Sequence, residues 1–281
     1  MRSKNSPSTD HWIWGLHSVL GALENCPEML LEIQVENSVN DAPVHAKGAT
    51  QKNRDLPDTE EGNNPHVLGQ ILALCNENSL KVKSVVQLPK ALNEKRTQGV
   101  VAKLKKFPDR WWNDYADDLV NFLDDPEAKK HFVILDEIQD PRNFGAILRS
   151  AAAFGVEAVF IRDRKQAPLN GVVAQASAGN IFRVSIIQCG NFNGVLEAFS
   201  KRDLPIWGLE ASSEKLSDTV KEEKANALLW ILGGEATGIR PVLREKCTKL
   251  LSIPMSEGVE SLNASVAASI AFYESSKHFN L

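Results

Sequence analysis

From His131 onward the chain repeats one pattern: a short apolar run, a polar turn, then a helical stretch rich in small or aliphatic residues. Phe132–Leu135, Ala158–Ile161, Arg183–Ile187, Ile206–Leu209, Leu228–Leu232 and Leu250–Ile253 read as strands. Helices read over Gly145–Phe154, Val172–Ala176, Val195–Lys201 and Asn263–Glu274. Strands that are apolar on both faces and alternate with helices need cover on both sides. The expected fold class is therefore α/β, with a parallel sheet between helical layers. Sheets of this kind take ligands beyond the carboxyl ends of their strands, so function is expected in the segments that leave each strand.

The N-terminal part is organised differently. His11–Asn25 carries Trp12, Leu16, Val19, Leu20 and Leu23 at helical spacing, and Met29–Val35 reads as a strand. Residues 36–65 are polar almost throughout and read as an insertion or long surface loop. A helix around His66–Asn76 and strands at Lys81–Gln87 and Gly99–Leu104 follow. The expected organisation is a disordered tail over 1–10, a small α/β domain over 11–105, a linker over 106–130 and a larger domain over 131–281. The linker holds Trp111, Trp112 and Tyr115. Aromatics beside basic residues can stack on unpaired bases; docking of the linker onto a domain is the preferred reading.

Composition excludes several classes. No apolar run approaches the roughly 18 residues that a membrane helix needs, and residues 1–10 lack the apolar stretch of a secretory signal. The four cysteines are scattered with no C-x-x-C pair, which argues against zinc or a disulfide framework and fits a reducing cytosol. A net charge of −4 does not by itself identify a nucleic-acid binder. Phosphate recognition is local, however, and Lys103, Lys105, Lys106 and Arg110 form one basic cluster, Arg162, Arg164 and Lys165 another.

Three strand exits carry chemistry. In the first, Asp140-Pro141 makes a turn and Asn143 is placed to cap a helix bearing Arg149, so both side chains border one strand-end crevice. The second is Gly233-Gly234-Glu235-Ala236-Thr237-Gly238, a glycine-rich turn that permits close backbone approach to a ligand. It is not G-x-G-x-x-G and has no P-loop lysine, which disfavours a nicotinamide-dependent oxidoreductase. The third runs Ser252-Ile253-Pro254-Met255 and then Ser261-Leu262-Asn263-Ala264-Ser265-Val266-Ala267, with Ser261 placed as a helix cap and Asn263 in the first turn. Each alone is an ordinary loop or cap.

Together their order and spacing closely resemble the signature motifs of the SpoU/TrmH branch of the SPOUT methyltransferases. D-P-x-N-x-G-x-x-x-R-(S/T)-A falls on Asp140–Ala151, G-x-E-x-x-G on Gly233–Gly238, and S-I-P-M with S-L-N-x-S-V-A on Ser252–Ala267. Trp14-Gly15-Leu16-His17-Ser18-Val19 and Gln98-Gly99-Val100-Val101-Ala102 resemble the RNA substrate-binding domain of the ribosomal-RNA guanosine methyltransferases in that family. Glu137 and Ala236 stand where the family often has glycine, which bears on loop geometry.

The resemblance implies a C-terminal domain with a deep trefoil knot, a rare topology. It implies S-adenosylmethionine held by Gly233, Ile253 and Leu262, with Leu209, Gly234, Pro254 and Met255 beside them. It also implies a cytoplasmic homodimer, RNA as partner, and no metal or membrane. The reaction it implies is methylation of a ribose 2′-hydroxyl, at a guanosine of large-subunit ribosomal RNA. The alternatives are a transfer-RNA methyltransferase and a non-catalytic RNA-binding protein on the same fold. A neutral hydroxyl is a poor nucleophile and needs a base or stabilisation of the emerging oxyanion. Arg149 is the family's key residue. A guanidinium with a pKa above about 12 is a difficult base, so its expected role is to bind phosphate and stabilise the oxyanion. Glu235 is expected to orient Arg149 or take part in proton removal, while Asn143, Ser261 and Asn263 fix geometry.

Overall fold

The computed structural model describes residues 11–37, 64–92, 95–216, 219–220, 223–234 and 238–278. The expected N-terminal tail, nearly all of the polar segment 36–65 and Glu235 lie outside the described residues. The chain divides into two compact units, one of residues 1–107 with 170–182, the other of 108–169 with 183–281.

The first unit is built on a mixed four-stranded sheet in the order β1-β4-β2-β3. Strand β1 (Trp12–Trp14) runs antiparallel to β4 (Val100–Leu104), β4 antiparallel to β2 (Leu30–Glu36), and β2 parallel to β3 (Val82–Val85). Helices α1 (Leu16–Asn25) and α2 (Asn64–Glu77) complete it. The helix expected from His11 thus begins only at Leu16. Helical spacing of Trp12 and Leu16 disguised a strand whose residues pair with Lys103, Ala102 and Val101; tertiary pairing overrides local periodicity there.

Residues 170–182, which read from sequence as part of the larger domain, belong to this first unit. They form α5 (Gly171–Ala176), capped by the Asn170 carboxamide, which accepts from the amides of Val172 and Val173. A turn through Gly179 then meets α1. A β-carbon on Gly21 would lie 2.6 Å from the Gly179 carbonyl oxygen, and one on Gly179 would lie 2.2 Å from that of His17. Two backbones touch at this point, and only glycine on both sides leaves room.

The second unit holds a seven-stranded sheet in the order β11-β9-β10-β6-β7-β8-β5, parallel throughout. The strands are β5 (Asp109–Trp111), β6 (Lys130–Asp136), β7 (Val156–Arg162), β8 (Ser185–Cys189), β9 (Ile206–Lys215), β10 (Ala227–Gly233) and β11 (Lys249–Ser252). Its helices are α3 (Trp112–Asp124), α4 (Pro141–Ala153), α6 (Asn193–Ser200), α7 (Pro241–Arg244) and α8 (Ala264–Ser276). From β6 the chain steps outward to β7 and β8. It then crosses to β9 on the other side and returns to fill the place between β9 and β6 with β10. This reversal makes a topological switch at the β6–β10 boundary.

The stretch expected as a linker, 106–130, instead supplies an edge strand and a core helix. Tyr115, Leu119 and Leu123 recur every fourth position on α3 and are buried, Leu119 completely. The acidic residues between them mask this stripe when the segment is read for composition. Tyr115 and Trp112 both meet Phe160, at centroid distances of 6.0 and 6.2 Å.

The buried end of α8 is tied to the sheet by a short polar relay. Trp230 Nε1 donates to Ser275 Oγ at 3.2 Å, and Ser275 Oγ lies 2.7 Å from His131 Nδ1. His131 Nε2 lies 2.7 Å from the Phe154 carbonyl oxygen. A carbonyl only accepts, so Nε2 carries the proton and Nδ1 receives the serine hydroxyl. No described helix is long and apolar enough to cross a membrane.

Candidate functional site

A cavity of about 760 Å³ opens at the carboxyl ends of β10 and β11, beside Leu209 and Glu210 in the middle of β9, a size ordinary for a small-molecule site. Six residues of the expected cofactor set line it: Leu209, Gly233, Gly234, Ile253, Met255 and Leu262. Pro254, between two lining residues, is exposed and outside the wall. Ser261 and Asn263 line the same cavity.

The glycine-rich exit of β10 is shaped by backbone crowding. A β-carbon on Gly233 would lie 2.1 Å from the carbonyl carbon of Gly238, so no side chain fits at 233. Gly238 donates to the Gly234 carbonyl at 2.9 Å, closing the turn on itself. Asp136, fully buried at the end of β6, holds both ends of this turn. Its main-chain carbonyl accepts from Gly234 N at 3.0 Å. Its carboxylate accepts from Arg240 N at 3.2 Å and from Arg240 Nε and Nη2 at 2.8 and 2.7 Å. A buried carboxylate needs such pairing to be tolerated. The same hydrogen bonding holds the Arg240 guanidinium pKa above its ordinary value.

Glu137 follows at φ +64, in the left-handed region that glycine adopts at least cost. This is the loop consequence expected where the family often has glycine. Its carboxylate faces Lys165 at 3.4 Å, Arg240 at 3.8 Å and Arg162 at 3.9 Å. Two members of the basic cluster expected around 162–165 are therefore drawn to an acid within the fold.

Both caps differ from those expected. Asp140, not Asn143, caps α4, accepting from Arg142 N at 2.7 Å ahead of Pro141 at the first helical position. The proline is pre-organised for that position, so the residue before it becomes the cap. Likewise Asn263, not Ser261, caps α8, accepting from Ser265 N at 2.9 Å. The displacement frees Asn143 for another role: Asn263 Nδ2 donates to Asn143 Oδ1 at 3.1 Å, joining the first motif to the third. Helices α4 and α8 also meet through the hydroxyls of Ser150 and Ser269 at 2.7 Å. Arg149 lies on α4, exposed and outside the cavity wall, and makes no ion pair or hydrogen bond among the described residues.

Sequence reasoning missed the Glu210–Arg244 ion pair, 3.0 Å long, in the cavity wall. Its one sequence signal is position: Glu210 is the first charged residue after the apolar run of β9. Leu232, Gly238, Ile239, Ala264 and Ala267 also line the cavity. Among the described residues no group of His, Cys, Asp or Glu is arranged to hold a metal ion.

With this geometry in place, residues 130–273 match the SpoU rRNA Methylase family. The chain belongs to that family. A 23S rRNA (guanosine-2'-O-)-methyltransferase RlmB of Xylella fastidiosa is 34% identical over 267 residues, covering 94% of this chain and 95% of that protein. The RlmB of Nitrosomonas europaea is 31% identical, covering 94% and 90%. Among solved structures, the SpoU methyltransferase AviRb from Streptomyces viridochromogenes, in complex with AdoMet, aligns with a TM-score of 0.66 at 18% identity, covering 95% of this chain and 89% of that one. At that identity the likeness speaks for the fold: an α/β unit on a parallel sheet, shared with SpoU methyltransferases.

Proposed function

We propose that this SpoU-family protein methylates a ribose 2′-hydroxyl in RNA, at a guanosine of large-subunit ribosomal RNA, with S-adenosylmethionine as donor. The observation that carries the reading is the meeting of all three strand exits around one crevice, where Asn263 bridges to Asn143 beside the cavity. Likeness to RlmB proteins along 94% of the chain, through both units, supports the ribosomal target.

The cavity fits the cofactor in volume and in lining. Leu209, Ile253 and Leu262 offer apolar wall, and the exit of β10 offers backbone with no side chain in the way. The paired Glu210 carboxylate is a hydrogen-bond acceptor suited to sugar hydroxyls. When bound, S-adenosylmethionine supplies an electrophilic methyl group on its sulfonium.

The chain's own residues do the remainder. Arg149, exposed and unengaged among the described residues, binds the phosphate of the target nucleotide and stabilises negative charge on the attacking oxygen. Asn143 and Asn263 hold the ribose in line, where orientation alone contributes several kcal/mol. Ser261 takes part with them, and Glu235 is assigned the role that its motif implies, orienting group or proton acceptor. In this reading the first unit binds RNA, and the second, residues 108–169 with 183–281, is the methyltransferase domain. The chain leading from β11 past the β10 exit to α8 forms the knot, and two copies pair in the cytoplasm to complete the site.

The test is transfer of labelled methyl groups to ribosomal and transfer RNA, with the modified nucleotide mapped. A 2′-O-methylguanosine in large-subunit RNA is the expected product. Label on transfer RNA alone overturns the target, and absence of cofactor binding overturns the chemistry in favour of a binding protein.

A further inference from the structure

A second cavity of about 360 Å³ lies beyond the carboxyl ends of β5 and β8, at the opposite edge of the same sheet. Trp111, Trp112, Asn113, Gln188 and Asn191 line it, with glycines at 190 and 194. We propose that this pocket receives an unpaired nucleobase of the RNA substrate, a few nucleotides away from the nucleotide to be methylated. The inference rests on the reading of the protein as an RNA methyltransferase and adds a second contact to it.

The three neighbouring aromatics are treated very differently by the fold. Tyr115 is 2% exposed and Trp112 is packed against the core, whereas Trp111 is 51% exposed. An indole left half in water beside a cavity offers a flat face for stacking, the sequence-tolerant way of holding a base. Trp112 cannot swing away to fill the space: its ring lies so close to Gly194 that a β-carbon there would stand 2.7 Å from it. At Gly190 a β-carbon would meet nothing within 4 Å, so the floor is open.

Around the indole stand three carboxamides with unused capacity. Asn113 makes no hydrogen bond among the described residues. Asn191 uses only its oxygen, accepting from Asn193 N at 2.9 Å. Gln188 uses only its amide nitrogen, donating to Asp109 at 2.7 Å. Neutral donors and acceptors beside an aromatic face match a base edge and a base plane. They do not match a phosphate or a cation, for which the pocket offers no charged side chain among its lining residues.

Position agrees with this role. Both cavities lie on the carboxyl rim of one parallel sheet. The second lies between the first two strands from one edge, the first around the last three at the other. At about 4.8 Å per strand the two are roughly 20 Å apart, a span of a few nucleotides of extended RNA.

The experiment compares the full-length protein with Trp111→Ala and Trp111→Phe. Steady-state methyl transfer to ribosomal RNA is measured along with direct binding of a short unstructured adenosine ribo-oligonucleotide by fluorescence quenching. Trp111→Ala is expected to raise the RNA KM and weaken oligonucleotide binding about tenfold, the order of one stacked base. S-adenosylmethionine affinity and kcat stay unchanged, and Trp111→Phe restores most of the binding. Unchanged KM and binding in Trp111→Ala overturn the proposal. So does a changed sedimentation coefficient with unchanged RNA affinity, which would make the patch a self-association surface. If the wild-type protein methylates no RNA yet quenching still depends on Trp111, the methyltransferase reading fails while the base pocket stands.

Discussion

His131 makes a sharp test of how α8 is anchored. The imidazole is 1% exposed, and burial pushes its pKa down to about 4 from the ordinary 6.5. The cost of protonating it is that of a buried cation rather than of a lost hydrogen bond. Ser275 can turn its proton to the Ala271 carbonyl, 3.0 Å away, and accept from the imidazolium instead. Because the folded pKa lies below the unfolded one, the unfolded chain binds the proton more readily. Stability is therefore fully present above pH 6.5, lost as the pH falls toward 4, and level below that. The full loss is about 3 kcal/mol, and between pH 7.5 and 5.0 it is about 2 kcal/mol. The assay is urea unfolding of wild type and His131→Gln at both pH values, followed by tryptophan fluorescence. Taking the difference between the proteins cancels every other titrating group. Wild-type stability relative to the variant should fall by about 2 kcal/mol on acidification. A difference constant to within about 0.5 kcal/mol, or one that moves in favour of the wild type on acidification, refutes the reasoning.

Three further outcomes follow from the site. Arg149→Ala should lower kcat by about a hundredfold or more while calorimetry finds S-adenosylmethionine affinity unchanged; retained activity would remove Arg149 from the chemistry. Gly233→Ala places a methyl group 2.1 Å from the Gly238 backbone and should abolish measurable cofactor binding in the same calorimetric titration, with little change in circular dichroism. Asp136→Ala leaves Arg240 without its buried partner and should destabilise the second unit by about 3 kcal/mol, read by denaturant midpoint, and weaken cofactor binding as the turn loosens.

The parallel sheet was legible because its strands are apolar on both faces. Phe132–Leu135 and Leu228–Leu232 have few other folded states open to them. The first unit was harder. Trp12 and Leu16 share a helical spacing, yet only pairing with β4 reveals that Trp12–Trp14 is a strand. Residues 109–124 read as linker because acidic side chains outnumber the stripe of Tyr115, Leu119 and Leu123 that is buried. At the site, strand exits and glycines were visible as motifs, and six of the seven expected cofactor residues line one cavity. Caps were misassigned by a few residues, since several polar side chains near a helix start can each serve and only local geometry chooses. The Glu210–Arg244 pair and the Asp136 clamp join positions 34 and 104 residues apart, and no local pattern announces such partners.

Residues 170–182 carry a consequence for modularity. They are encoded between β7 and β8 of one unit, yet they complete the other. The covalent chain therefore passes between the units at 107, at 169 and again at 182. A gene cut after residue 107 would not release an intact N-terminal module; it would deliver α1 with the face around Gly21 stripped of its partner. The complementary piece would keep residues 170–182 as an orphaned excursion. Exchange of N-terminal domains among relatives by simple recombination is obstructed here, because the part and its fitting would have to travel together from two places in the gene.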